Sequence, residues 1–156
     1  MRLCRFEREG EVREGAFKHD EIVIQDEVIP LEDVRLLPPC QPTKIIGCGL
    51  NYDGTIAESP ILDDGQRTRP ERPFLFFKPP STVVGHGEDI QHPDSSGIHL
   101  EAEVAIVIGE QCRNLEADDA MDSVKGYTAM NDITATDWPE MEDQWVRSKG
   151  MDTFSP

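Results

Sequence analysis

The chain has 156 residues, enough for one domain with a real core, or a modest domain with a small appendage. Its 31 Asp and Glu against 15 Lys and Arg give a formal net charge of −16. Such a surface repels nucleic acid and anionic lipid, so neither is an expected partner. No apolar run approaches the length of a membrane span, and the first residues lack the apolar stretch of a signal peptide, so a cytoplasmic location is expected. The acids are scattered and form no tail, which suits a halophilic cytosol, where salt screens self-repulsion, or simply an acidic protein. Cys4, Cys40, Cys48 and Cys112 contain no CxxC pair, which argues against structural zinc and a disulfide framework.

In chain order, Leu3–Phe6, which alternates apolar with polar, Val12–Phe17, Glu21–Ile24 and Glu27–Ile29 read as short strands separated by turn residues such as Glu9-Gly10. They predict a small antiparallel β unit over residues 1–40. Leu36-Leu37-Pro38-Pro39-Cys40-Gln41-Pro42 reads as a stiff linker, and a second domain is expected over 41–156. Lys44–Leu50 and Phe74–Phe77 are nearly all apolar and predict strands buried on both faces. Between them, Tyr52–Glu58 opens a helix or loop, and residues 60–73 read as a mobile surface segment.

Ile98–Ile108 predicts one long strand. His99, Glu101, Glu103, Ala105 and Val107 share one face, and Leu100, Ala102, Val104, Ile106 and Ile108 the other. The wholly apolar face is expected to enter a core. Asn114 is expected to cap a helix carrying Ala117, Ala120, Met121 and Val124 and stopped by Gly126. Tyr127–Met130 is a further strand that delivers Asn131-Asp132, and Asp137–Arg147 reads as a helix or lid.

Two carboxylates on one strand face repel each other, and a cation between them turns that repulsion into binding energy. On spacing alone, Glu101 and Glu103 read first as a solvated strand face. The functional reading adds Asp132 as a third oxygen donor, and an all-oxygen set selects hard ions such as Mg²⁺, Mn²⁺ or Ca²⁺.

Four segments occur in order: Lys44-Ile-Ile-Gly-Cys-Gly-Leu-Asn-Tyr52, Phe74-Leu-Phe-Phe-Lys-Pro-Pro80, Ile98-His-Leu-Glu-Ala-Glu-Val-Ala-Ile-Val-Ile-Gly109 and Gly126-Tyr-Thr-Ala-Met-Asn-Asp-Ile-Thr-Ala-Thr-Asp137. Together with Trp145, Lys149 and Phe154 they resemble the fumarylacetoacetate hydrolase family, from about Leu36 onward. The resemblance implies an α+β, mostly β fold of mixed β-roll or barrel type, preceded by the small antiparallel unit. It also implies further strands beyond Asp152-Thr153-Phe154, so this sequence is expected to hold the N-terminal portion of that fold. Glu101, Glu103 and Asp132 take the family's metal positions, with Mg²⁺ or Mn²⁺ as the implied ion and Ca²⁺ as an alternative. Lys149 and Glu58 take catalytic positions, and Tyr52 and Lys78 substrate-binding ones. The implied activity is that of a hydrolase or isomerase on small 1,3-dioxo or 2-oxo acids, in a homodimer. The alternatives are a catalytically impaired module that binds metal and oxo-acid, or a fragment of a larger enzyme.

Two positions depart from the family pattern. Thr55 stands where family hydrolases carry a histidine that, with the glutamate matched by Glu58, activates water; a threonine hydroxyl cannot act as a base near neutral pH. Thr136 stands where many members have arginine. His86, His92 and His99 are expected in ordinary surface or packing roles, with a supporting role near the carboxylates open to His99, and His19 is expected at a hairpin tip.

Overall fold

The computed structural model describes residues 1–58, 68–137 and 145–156, and for Glu58 only the backbone. The first 37 residues form a five-stranded antiparallel sheet: β1 (Leu3–Arg8), β2 (Glu11–Lys18), β3 (Glu21–Ile24), β4 (Glu27–Pro30) and β5 (Arg35–Leu37), in the order β4-β3-β2-β1-β5. The hairpin turns use backbone with positive φ, at Glu9 (55°) and Gly10 (83°), at His19 (55°) and at Gln25 (52°), as tight turns between right-twisted strands require. Leu36 and Leu37, expected in the linker, instead belong to the edge strand: Phe6 faces Leu36 across the ladder, and Arg5 Nη1 donates to the Pro38 carbonyl at 2.9 Å.

Phe6, Ile22 and Ile29 are fully buried and form the core of this unit, with Cys4, Ile24, Leu31, Val34 and Leu36 packed around them. Burial of each large side chain contributes about 1.5–3 kcal/mol. Gly15 sits inside β2 because a Cβ there would collide with Ile22 and come within 3.0 Å of Ile24 Cγ1.

The rest of the chain is built from two-stranded ribbons. β6 (Ile45–Gly49) pairs with β7 (Phe74–Lys78), β8 (Ile98–His99) with β11 (Thr134–Ala135), and β9 (Ala102–Ile108) with β10 (Val124–Asn131), all antiparallel. The helices are short: α1 (Asp53–Glu58) and α2 (Val146–Lys149). A second core joins Ile133, Ala135 and Phe154, flanked by Ile98 and Met151. The fold is mostly β with few helices, and the described residues form no closed barrel.

Four expectations are corrected. β6 and β7 are covered on one face only: Ile46, Leu75 and Phe77 are exposed while Phe76 and Lys78 are buried. The strand expected over 98–108 breaks at Leu100-Glu101, because the Glu101 backbone leaves the ladder. Its N–H donates to Asn131 Oδ1 at 2.9 Å, and its carbonyl accepts from the Asp132 amide at 2.8 Å. The apolar face of that segment lies outside any core, with Leu100 64% and Val104 74% exposed and Ile106 and Ile108 also open. Alternation marks two unlike faces, and here the Ala105–Val107 face is the partly covered one. The helix expected after Asn114 is a series of turns ending in a 3₁₀ turn (Ala120–Ser123), and Gly126 lies within β10 at a register shift. Asn114 has φ 53° rather than the extended backbone of a helix N-cap, and the amides of Asp119, Ala120 and Asp122 reach back three residues, as turns and 3₁₀ helices do.

The segment expected over 60–73 and the helix or lid over Asp137–Arg147 fall largely outside the described residues. No helix among the described residues is long and apolar enough to cross a membrane.

Candidate active site

Four elements converge on one buried ammonium group. Lys149 is the last residue of α2, and its Nζ donates to Oε1 and Oε2 of Glu101 (each 3.1 Å), to Asp132 Oδ2 (2.8 Å) and to Thr134 Oγ1 (2.7 Å). Glu101 stands in the break between β8 and β9, Asp132 just after β10, and Thr134 opens β11. Thr134 Oγ1 also donates to Glu101 Oε1 at 2.7 Å, which fixes the carboxylate's plane. The Lys149 ammonium further lies 5.3 Å from the centre of the Phe76 ring and 5.6 Å from that of Trp145.

A second lysine supports the same carboxylate. Lys78, at the end of β7, has a side chain with no exposed surface, and its Nζ donates to Asp132 Oδ1 and to the Ile133 carbonyl at 3.3 Å. Burial pushes its ammonium below the ordinary lysine value, and Asp132 pulls it partly back. Lys78, expected among the substrate contacts, is buried against Asp132. Asp132 thus has a lysine on each oxygen, a buried arrangement that orients it tightly.

Glu103 lies in β9, while Glu101 precedes it, so the two do not share one continuous strand face as expected. They remain within electrostatic reach. The Glu103 carboxyl is raised above its ordinary value by burial first, then by Asp132 and Glu101, with Lys149 opposing. Among the described residues its carboxylate meets no hydrogen-bonding cation. Three His, Cys, Asp or Glu side chains do not converge as a ready ligand set among the described residues, because Lys149 stands between Glu101 and Asp132. The donor chemistry nonetheless fits a hard divalent ion: all donors are carboxylate oxygens, and Glu103 carries a charge that two neighbouring carboxylates repel. Two lysines against three carboxylates leave the cluster at −1; a divalent ion would bring it to +1.

Among the described residues, the remaining expected ones make no side-chain hydrogen bond to the Lys149 cluster, and His99 pairs with Thr134 in the β8–β11 ladder. Tyr52 is 71% exposed ahead of α1, Thr55 is exposed within α1, and the Glu58 side chain is outside the description. Thr136 donates both its amide (3.0 Å) and its hydroxyl (3.1 Å) to the Gly97 carbonyl and so braces a loop. His92 bonds the Pro93 carbonyl through Nδ1, while His86 and His99 are exposed. Sequence reasoning passed over Thr134 and the link between Lys78 and Asp132. Thr134 sits in the Gly126–Asp137 segment, but nothing in its spacing announces a bond to a residue more than thirty positions away.

A lysine–carboxylate cluster of this kind, carried on short ribbons beside a separate antiparallel sheet, defines a class that comparison with known proteins makes specific. Residues 44–156 match the family described as Fumarylacetoacetate (FAA) hydrolase C-terminal, and residues 1–39 match Rv2993c-like, N-terminal. The chain belongs to the fumarylacetoacetate hydrolase family. Protein Rv2993c of Mycobacterium tuberculosis is 42% identical over 128 residues, covering 81% of this chain and 46% of that protein. The mitochondrial oxaloacetate tautomerase fahd2 of Xenopus laevis is 33% identical over 159 residues, covering 98% and 48%. The chain spans about half the length of these relatives. Among solved structures, 5-carboxymethyl-2-hydroxymuconate delta-isomerase from Mycobacterium smegmatis matches all of this chain and 64% of its own, with TM-score 0.82 at 33% identity. Maleylpyruvate hydrolase from Sphingobium sp. SYK-6, solved with manganese(II) and pyruvate, matches with the same coverage, TM-score 0.73 and 26% identity.

Proposed function

We propose that the chain carries the active site of a metal-dependent enzyme that acts on small 2-oxo or 1,3-dioxo acids, with isomerase or tautomerase chemistry ahead of hydrolysis. The observation that carries this reading is the buried Lys149 ammonium, held by Glu101, Asp132 and Thr134 beside the uncompensated Glu103. The tautomerase and isomerase relatives, and the neighbour solved with manganese and pyruvate, support it.

Glu101, Glu103 and Asp132 would hold Mg²⁺ or Mn²⁺. An ion held there would supply a Lewis acid that favours negative charge on the oxygens of a bound 2-oxo acid. Asp132 is oriented by Lys78, and Glu101 by Thr134 and by its backbone bonds to Asn131 and Asp132. Lys149 holds a proton at Nζ within reach of both carboxylates, where it can hold the substrate's negative charge or pass a proton to and from the carbon next to the oxo group. Tautomerisation needs that proton transfer and no activated water, so Thr55 in place of a basic side chain is compatible with it.

The test uses the purified chain with Mn²⁺ and either enol oxaloacetate or an acylpyruvate, followed by ultraviolet absorbance. Turnover is expected, and Lys149→Met should lower it by about 10²–10⁴-fold, the range of a lost acid–base group. Turnover indifferent to Lys149→Met, or absent with every oxo-acid tried, would overturn the reading. A second reading, a module that binds metal and oxo-acid without turnover, draws on Thr55; it predicts Mn²⁺ binding with no reaction.

A further inference from the structure

The neighbours of the Lys149 ammonium are of two kinds: oxygen acceptors from Glu101, Asp132 and Thr134, and the rings of Phe76 and Trp145. The rings are themselves seated by a stereochemical requirement. Trp145 lies 4.8 Å from Phe74, tilted at 58°, and 5.4 Å from Phe76, nearly edge-on at 72°. Its far edge occupies the space where Gly49 has no side chain: a Cβ on Gly49 would stand 2.9 Å from Cη2 and closer still to Cζ3. Gly47 does the same for Phe76, whose Cε1 would be 2.6 Å from a Cβ there. Alternate positions of β6 are therefore emptied so that two aromatic rings can lie against it, and those rings are the ones that reach Lys149.

Backbone bonds tie the ring and the ammonium together. Trp145 precedes α2, and its carbonyl accepts from the Lys149 amide at 2.9 Å and from Ser148 Oγ at 3.1 Å, with Ser148 buried. A shift of Trp145 would therefore move the turn that aims Lys149.

We propose that Trp145, seated over Gly49, is a positioning residue: its ring closes the aromatic side of the Lys149 ammonium, keeps water from it and holds Nζ against Glu101 and Asp132. A cation beside an aromatic face is attracted by the ring quadrupole, more so where water is excluded. The charged form of Lys149 thereby keeps one position, and Gly49 belongs to the site although it touches no charged group. The inference rests on the Lys149 reading given above, and its test is independent of turnover.

The experiment is pulse acetylation of native protein with acetic anhydride, read residue by residue by mass spectrometry. Exposed Lys125 is the reference, and buried Lys78 reports global unfolding. The variants are Trp145→Leu, Trp145→Phe, Gly49→Ala and the double variant Gly49→Ala/Trp145→Leu. Trp145→Leu and Gly49→Ala should each raise labelling of Lys149 several-fold over Lys125 while Lys78 stays protected. Trp145→Phe should retain most of the protection. The double variant should label no faster than Trp145→Leu, because the steric conflict of Gly49→Ala is with the ring already removed. Unchanged Lys149 labelling in folded Trp145→Leu, or strictly additive effects in the double variant, would overturn the proposal. Where turnover is measurable, Trp145→Leu should lower kcat more than it raises KM; equal loss of protection at Lys78 and Lys149 would mark Trp145 as merely structural and also overturn the proposal.

Discussion

Glu101 and Asp132 are joined twice: the Asp132 amide donates to the Glu101 carbonyl at 2.8 Å, and both carboxylates accept from the single ammonium of Lys149. The backbone bond sets the distance between the two side chains, and the lysine sets their orientation. Residues thirty-one positions apart in sequence thus behave as one unit, and what disturbs either is felt at the other.

Asp132→Ala should be the most damaging single change at the site. It would leave the Lys78 ammonium with no exposed surface and no directly bonded carboxylate, and remove a partner from Lys149. Loss of one member of a buried pair costs about 3–5 kcal/mol. Urea unfolding should show that loss for Asp132→Ala and a smaller one for Lys78→Met, since Asp132 then keeps Lys149. Equal stability of Asp132→Ala and the parent would contradict the pairing.

Thr55→His should add hydrolytic activity toward an acylpyruvate. The exposed position in α1 accepts the larger side chain without repacking, so fold stability should be little changed. Steady-state rates of C–C cleavage measure the gain, and none in a folded variant would remove position 55 from the account.

Asp137 supplies an acid-sensitive tie. Its carboxylate accepts from Ser95 Oγ and from the Ser96 amide (3.1 Å), and these bonds hold its carboxyl below the ordinary value. A depressed folded-state pKa contributes stability that is present above the unfolded value and is lost as pH falls through the folded one. Thermal melting between pH 6 and about 3 should therefore fall more steeply in the parent than in Asp137→Asn. Asp137 is only partly covered, so the difference should be small and shrink further in salt.

The cysteines should separate by reactivity. Cys48 and Cys112 are exposed, whereas burial pushes the Cys4 thiol above its ordinary value. Alkylation at pH 8 followed by mass spectrometry should modify Cys48 and Cys112 first and Cys4 slowly. Fast modification of Cys4 would mean that the N-terminal sheet opens readily.

Much of this architecture was legible in the residues. Glu21–Ile24 is a short β-branched run between turn residues, and β3 has those bounds. The motif segments led to the family and to Lys149. Period-two alternation also marked two faces around Val104, but it cannot say which face is covered, and the apolar one is open. The same limit hid the exposure of Ile46 and Phe77. Glu101 and Glu103 read as equals, yet a backbone departure at Leu100-Glu101 gives one to Lys149 and leaves the other in β9. Lys78 meeting Asp132 and Trp145 filling the space over Gly49 are contacts across long sequence separations, and no local pattern encodes them.

Calorimetric titration of the purified chain with Mn²⁺, beside Glu103→Gln, most directly tests the proposal that Glu101, Glu103 and Asp132 hold a divalent cation. Glu103 is the member of the set with no hydrogen-bonding cation among the described residues, so its substitution leaves the lysine network intact. Saturable binding by the parent, abolished or strongly weakened in a folded Glu103→Gln, is the predicted result. No binding by the folded parent, or equal binding by both, would contradict it.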